Sequence, residues 1–175
     1  NPIANDQSVT AIEQTDKNIT LTGTDSENDD LNFIILTIPK KGYLKDPGNS
    51  NSIINAGDTI TGSDVIYISD SDTATSDSFT FKVNDGSDDS ASATVSITIS
   101  PVNDPPIAFN ISSATITNTN TNITLIGKDF ENDTISYIVQ SLPVNGQLID
   151  GEETINNSSL PKTVSLNILT FVPNK

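Results

Sequence analysis

The chain repeats itself at an offset of 104 residues. Thr20-Leu21-Thr22-Gly23-Thr24-Asp25-Ser26-Glu27-Asn28-Asp29 returns as Thr124-Leu125-Ile126-Gly127-Lys128-Asp129-Phe130-Glu131-Asn132-Asp133. Pro39, Gly42 and Leu44 return as Pro143, Gly146 and Leu148, and Pro2-Ile3-Ala4 returns as Pro106-Ile107-Ala108. Near the end, Val65-Ile66-Tyr67-Ile68 returns as Leu169-Thr170-Phe171-Val172. A period of this length is a small domain rather than a solenoid unit. Two copies of one fold are therefore expected, over residues 1–104 and 105–175. The offset is constant across these matches, so the loops are expected to keep their lengths. Residues 71–104 have no counterpart after Lys175, so the second copy is expected to lack its last two strands. With no methionine, the chain reads as an excerpt from a longer array or as a processed product.

Apolar, β-branched residues cluster every 10 to 15 positions, at 9–12, 19–22, 31–38, 53–54, 65–69, 79–83 and 91–99. Phe79, Phe81 and Val83 alternate with polar neighbours, as do Ala91, Ala93, Val95, Ile97 and Ile99. That period of two marks strands with one buried and one wet face. In 31–38 the alternation of Leu31, Phe33 and Ile35 is blurred by Ile34, Leu36 and Ile38. No apolar 3.6-residue period runs for three turns. Seven short strands in about 100 residues, split by Gly, Asn and Asp, predict an antiparallel β-sandwich. Pro39-Lys40-Lys41-Gly42 reads as a recurring turn. Pro101, Pro105 and Pro106 make a stiff connector between the copies.

Twenty-three acids stand against eight lysines and no arginine, a net charge of −15. Nucleic acid and anionic membranes need basic clusters, so both are excluded as partners. The β-periodicity argues against disorder, the other reading of such a charge. Without His or Cys there is no triad and no thiol nucleophile, and zinc, copper and nickel are poorly served. No phosphate-binding Gly-rich loop is present, and the chain reads as no enzyme. No apolar run reaches membrane-spanning length.

The acids concentrate in four loops. In a seven-strand sandwich alternate loops fall at opposite poles. Loops 24–30 and 84–90 share the pole where the chain enters and carry Asp25, Glu27, Asp29 and Asp85. Loops 13–18 and 70–78 share the pole where it leaves and carry Glu13, Asp16, Asp70, Asp72 and Asp77. In a tandem array Glu13, Asp70 and Asp72 are expected to face Asp129, Glu131 and Asp133 across Asn103 and Asp104. So many carboxylates repel unless neutralised. Calcium fits them, because it takes six to eight oxygen ligands from carboxylates, carbonyls and amides. The N-terminal pole of the first copy, with Asp25, Glu27, Asp29 and Asp85, is expected to offer a similar set.

At this point a family resemblance becomes specific. Leu-Thr-Gly-Thr-Asp-Ser-Glu-Asn-Asp-Asp-Leu (21–31), Ala-Gly-Asp-Thr-Ile-Thr (56–61), Asp-Ser-Phe-Thr-Phe-Lys-Val-Asn-Asp-Gly (77–86) and Ser-Ala-Thr-Val-Ser-Ile-Thr-Ile-Ser-Pro-Val-Asn-Asp-Pro-Pro (92–106) resemble the bacterial cadherin-like repeats of large surface adhesins and repeats-in-toxin-type exoproteins. The resemblance implies an all-β fold of tandem cadherin-like or Ig-like, seven-stranded Greek-key β-sandwiches, the second incomplete. It also implies calcium, an extracellular or cell-surface location, and neighbouring repeats of the same polypeptide as partners. The cadherin linker Asp-x-Asn-Asp-Asn is matched only in part by Pro101-Val102-Asn103-Asp104-Pro105, which implies fewer ions per joint.

Three functions are compatible with these residues. The first is an extension module of an adhesin or surface filament, stiffened by calcium at its joints. The second is a module binding carbohydrate or protein, for which an exposed aromatic patch is expected and is not evident. The third is a fibre subunit completed by strands from a neighbouring like chain.

Overall fold

The computed structural model describes residues 1–174. The chain divides into two compact units, Asn1–Asn103 and Asp104–Lys175.

The first unit contains ten strands: β1 (Ile3–Ala4), β2 (Gln7–Ile12), β3 (Lys17–Thr20), β4 (Gly23–Thr24), β5 (Asn32–Thr37), β6 (Gly42–Asp46), β7 (Ser52–Ile53), β8 (Asp64–Ser69), β9 (Ser76–Asn84) and β10 (Ala93–Ser100). They form two four-stranded sheets, ordered β2-β10-β9-β5 and β3-β8-β6-β7, with β1 and β4 as a small separate pair. Along β10 every second residue is buried: Ala93, Val95, Ile97 and Ile99. They meet Phe79, Phe81 and Val83 of β9, Phe33 and Ile35 of β5, and Ile19, Leu44, Val65 and Tyr67 of the other sheet in one core. The hydrophobic effect over these inner faces holds the sandwich together.

Several sequence expectations are corrected. Strand β2 pairs with β10 in parallel, Gln7 opposite Val95 through Ile12 opposite Ser100, so the sandwich is not wholly antiparallel. With the first and last strands side by side in a chain that crosses the fold an odd number of times, the two run the same way. Strand β6 was not expected, because Gly42-Tyr43-Leu44-Lys45-Asp46 has little strand propensity. Its Leu44 and Asp46 are nonetheless buried. The blurred alternation in 31–38 has a cause: the ladder between β5 and β9 shifts register between Ile35 and Thr37, a β-bulge. Gly42 is needed for close approach rather than for turn geometry. A Cβ there would lie 2.2 Å from the Ile68 carbonyl oxygen and 2.9 Å from the Tyr67 ring.

The second unit contains β11 (Ile107–Ala108), β12 (Thr121–Thr124), β13 (Gly127–Lys128), β14 (Ile138–Val139), β15 (Gly146–Asp150), β16 (Glu153–Thr154), β17 (Lys162–Thr163) and β18 (Ile168–Pro173). Its four-stranded sheet, β12-β18-β15-β16, reproduces β3-β8-β6-β7. A smaller core gathers Val139, Leu148, Ile155, Val164 and Leu169.

The loops do not keep their lengths. In the first unit the β6–β7 hairpin closes from Asp46 to Ser52, across residues 47–51. In the second it closes from Asp150 to Glu153, across Gly151 and Glu152 alone. Gly151, at φ +63°, supplies the positive φ that so tight a turn needs. The three residues lost there reappear downstream. The backbone bonds Ile54 N–H to Leu44 and Ile60 N–H to Phe33 are matched by Ile155 to Leu148 and Val164 to Tyr137. The link between them therefore grows from 55–59 to 156–163, and the 3-10 turn moves from Pro47–Asn49 to Asn157–Ser159. The constant offset of the flanking matches conceals this exchange.

Candidate functional site

At one end of the first unit, Glu13 follows β2 and is only 1% exposed. Its N–H donates to Ser100 O at 3.0 Å. Its Oε2 accepts from Val102 N–H at 2.9 Å, while Oε1 is buried with no hydrogen-bond partner. Half-buried Asp72 brings a carboxylate oxygen within 4.8 Å of one on Glu13 and accepts from Gln14 Nε2 at 3.5 Å. Two carboxylates so close, one of them buried, favour a cation between them. Asp70 is exposed and is held through its own N–H to Lys41 O at 3.0 Å. Asp16 is exposed on the neighbouring loop.

Asp77 is removed from the acidic set at this end. Its Oδ1 accepts from Lys40 N–H at 3.0 Å and Ser78 N–H at 2.8 Å. Its Oδ2 accepts from Lys41 N–H at 2.8 Å and the Tyr67 hydroxyl at 3.1 Å. With four donors already on it, Asp77 clamps the 39–42 turn onto β8 and has a structural task.

At the opposite end of the first unit, the Asp-x-Glu-x-Asp loop folds around its first residue. Asp25 Oδ1 accepts from Glu27 N–H at 2.8 Å and Asp29 N–H at 3.4 Å. The Asp25 side chain is 1% exposed, and its Oδ2 has no hydrogen-bond partner. The Asn1 ammonium lies 3.8 Å from both Asp25 Oδ2 and Glu27 Oε2, an ion-pair distance. Asp85 caps its own loop, Oδ1 accepting from Asp88 N–H at 2.7 Å and Ser87 N–H at 2.8 Å. These two bonds, Asp88 first, hold its carboxyl below the usual range, with the N-terminal ammonium adding to them. Asp29 is exposed and contributes only its N–H.

The same loop in the second unit repeats the arrangement. Asp129, 6% exposed, accepts on Oδ1 from Glu131 N–H at 3.1 Å and Asp133 N–H at 2.9 Å. Asn28 and Asn132 both turn the chain at positive φ, +62° and +64°. Glu131 Oε2 accepts from Asp104 N–H at 3.1 Å, and Glu131 Oε1 is buried without a hydrogen-bond partner. Asp133 is exposed. Asn103 closes the first unit and Asp104 opens the second.

Sequence reasoning missed one recurring pair of buried acids. Asp46, 4% exposed, accepts from Gly48 N–H at 2.9 Å, Asn49 N–H at 3.2 Å and Thr61 N–H at 2.8 Å. Asp150 accepts from Ser165 Oγ at 2.6 Å and Ser165 N–H at 2.8 Å, and these bonds, the hydroxyl's first, hold its carboxyl below the usual range. Their separation by the repeat offset was the available signal. These two pin a connecting segment to the end of a strand and have few lone pairs left for a ligand.

Two facing sheets with the last strand beside the first, in a chain carrying two copies, define an Ig-like β-sandwich repeat. Residues 1–98 match the family model of the bacterial Ig domain, and the chain belongs to that family. It is also similar to the integrin beta-like protein C of Dictyostelium discoideum, 27% identical over 163 residues that cover 86% of this chain. The chain spans 8% of the length of that relative. Among solved structures it is similar to the IG1+IG2 pair of DIP-gamma (TM-score 0.35, 10% identity, 99% of this chain and 84% of that one). It is likewise similar to murine CEACAM1b (TM-score 0.31, 11% identity, 100% and 86%). No helix among the described residues is long and apolar enough to cross a membrane.

Proposed function

We propose that the chain is an extension module of an extracellular bacterial surface protein, in which Ig-like repeats follow one another and calcium stiffens the joints. Bacterial Ig domains are typically structural or binding modules, and this pair carries acidic ends to match. The observation that carries the reading is Glu13, a buried carboxylate with one oxygen on Val102 N–H and the other without a hydrogen-bond partner. A buried carboxylate oxygen without a partner costs several kcal/mol, and a cation beside it would offset that cost directly. Asp72 supports the reading at the same end, and Asp25, Glu27, Asp129 and Glu131 do so at the N-terminal ends. The donors are all oxygen, which suits calcium over softer metals. Calcium supplies the charge that lets these carboxylates stay buried and close together.

The test compares the full chain with calcium and with chelator, by thermal unfolding and by small-angle scattering. Calcium raises the melting temperature and lengthens or narrows the distribution of molecular dimensions. Identical melting and identical scattering in the two conditions would eliminate calcium from the account.

A further inference from the structure

The turn into β15 is Pro143-Val144-Asn145-Gly146, and it holds the one Asn-Gly step in the chain. Glycine has no Cβ, so its amide nitrogen can reach the preceding side chain unhindered. Asn145 is open to that approach. It is exposed, beside a Val144 that is 91% exposed. Its side-chain amide has no hydrogen bond among the described residues. Exposure belongs to the position itself: the counterpart Lys41 is exposed in the first unit, where two four-stranded sheets face each other.

The nitrogen is open as well. Gly146 lies opposite Pro173, which has no N–H, and Asn174 N–H donates to Asn145 O at 3.0 Å. That is the non-bonded position of an antiparallel ladder, where the N–H turns away from the facing strand. On the other side, β16 reaches only Ile149 and Asp150. The Gly146 N–H therefore belongs to neither ladder. The comparable Asp-Gly steps are tied down. At Asp85-Gly86 the carboxylate holds the Ser87 and Asp88 N–H groups, and the glycine N–H donates to Asn84 Oδ1 at 2.8 Å. At Asp150-Gly151 the carboxylate is buried and held by Ser165.

Packing fixes the glycine. A Cβ at Gly146 would lie 2.3 Å from Phe171 Cε2 and 2.6 Å from the Val172 carbonyl oxygen. Only the residue before it decides whether the step is reactive. The first unit has Lys41-Gly42 there, with a similar close approach and no side-chain amide.

We infer that Asn145 is a site of spontaneous deamidation, at which the second unit gains a carboxylate and a branched backbone. The Gly146 nitrogen attacks Asn145 Cγ and a C–N bond forms. The side-chain nitrogen leaves as ammonia, taking the glycine N–H proton, and a succinimide closes. Water then opens either carbonyl bond of the imide, giving aspartate or isoaspartate. Both products add one negative charge, and isoaspartate also lengthens the main chain by one methylene. The close contacts of Gly146 leave no room for that methylene, so the strain falls on the bond from Asn174 to Asn145. Nothing in this depends on calcium.

The test incubates the full chain at body temperature, at neutral and mildly alkaline pH, folded and in urea. Digestion and mass spectrometry then locate each gain of about 1 Da. In the folded chain the gain at Asn145 is expected to be at least roughly tenfold faster than at Asn51 or Asn157, whose following serines carry a Cβ. It accelerates with pH, because the attacking nitrogen must lose its proton, and it yields two products of equal mass. An Asn145→Lys variant, carrying the first unit's residue, folds and shows no gain at that peptide. A folded chain intact at Asn145 while the chain in urea reacts there overturns the inference. So does a rate at Asn145 no faster than at the two serine-flanked sites.

Discussion

The backbone N–H of Val102 donates to Oε2 of Glu13 at 2.9 Å, joining the end of the first long strand to the segment after the last. The bond fixes the carboxylate while its other oxygen stays buried without a hydrogen-bond partner. Glu13→Gln preserves the shape and an acceptor for Val102 but removes the charge. In chelator the variant melts at or above the wild-type temperature. In calcium the wild type gains about 2.7 kcal/mol at a hundred times its dissociation constant. That gain amounts to a shift on the order of 10 °C for a unit of this size. The variant loses most of it, as read by scanning calorimetry.

Asp46 and Asp150 separate structural acids from ligand candidates. Asp46→Ala leaves three backbone N–H groups of the 47–61 region without their acceptor and costs about 2–3 kcal/mol in urea unfolding. Its calcium response is unchanged. For Asp150 the sign of the acid dependence follows from its lowered folded-state pKa. The stability it contributes is full above the unfolded value near about 4 and fades as the pH falls through the lower folded value. Asp150→Asn removes that component of the acid transition of the second unit.

Tyr67 and Asp77 form a pair that the second unit does without, since Phe171 stands where Tyr67 would. Tyr67→Phe therefore costs only about 1 kcal/mol, whereas Asp77→Ala strips the Lys40 and Lys41 N–H groups as well and costs more. Burial, followed by the nearby Asp77 charge, raises the Tyr67 phenol well above its usual range. A raised folded-state pKa gives stability that is present below the unfolded value and lost as the pH climbs past about 10. Ultraviolet titration should show Tyr67 ionising only as the first unit unfolds.

Gly42→Ala places a methyl group 2.2 Å from a backbone oxygen that cannot yield cheaply. The expected loss is at least about 2 kcal/mol. Gly57→Ala meets no atom within 4 Å, and its strain comes only from φ +96°, so it costs less. Thermal melts of the two variants rank them.

Legibility in the sequence followed physical cause. Strands β9 and β10 were readable because one face is fully buried and the other wet, which writes a strict period of two. The β-sandwich and the acidic loops followed from that alternation and from the repeat. Strand β6 was hidden because only Leu44 and Asp46 of its five residues are buried, and one of them is an acid. The parallel pairing of β2 with β10 depends on topology, which no local pattern records. The hairpin exchange was masked because a loss and a gain of three residues cancel between Asp46/Asp150 and Thr61/Ser165. Among the acids, type and spacing could not tell Asp77, with four donors on its carboxylate, from Glu13, with a buried bare oxygen.

The most direct test is isothermal titration of calcium into the chelator-treated full chain, repeated on Glu13→Gln, Glu131→Gln and Asp46→Asn. Saturable binding is expected at about 10⁻⁴ to 10⁻³ M, the range of extracellular modules. Binding is weakened in the first two variants and kept in the third. No binding heat at millimolar calcium, or binding indifferent to Glu13 and Glu131, would contradict it.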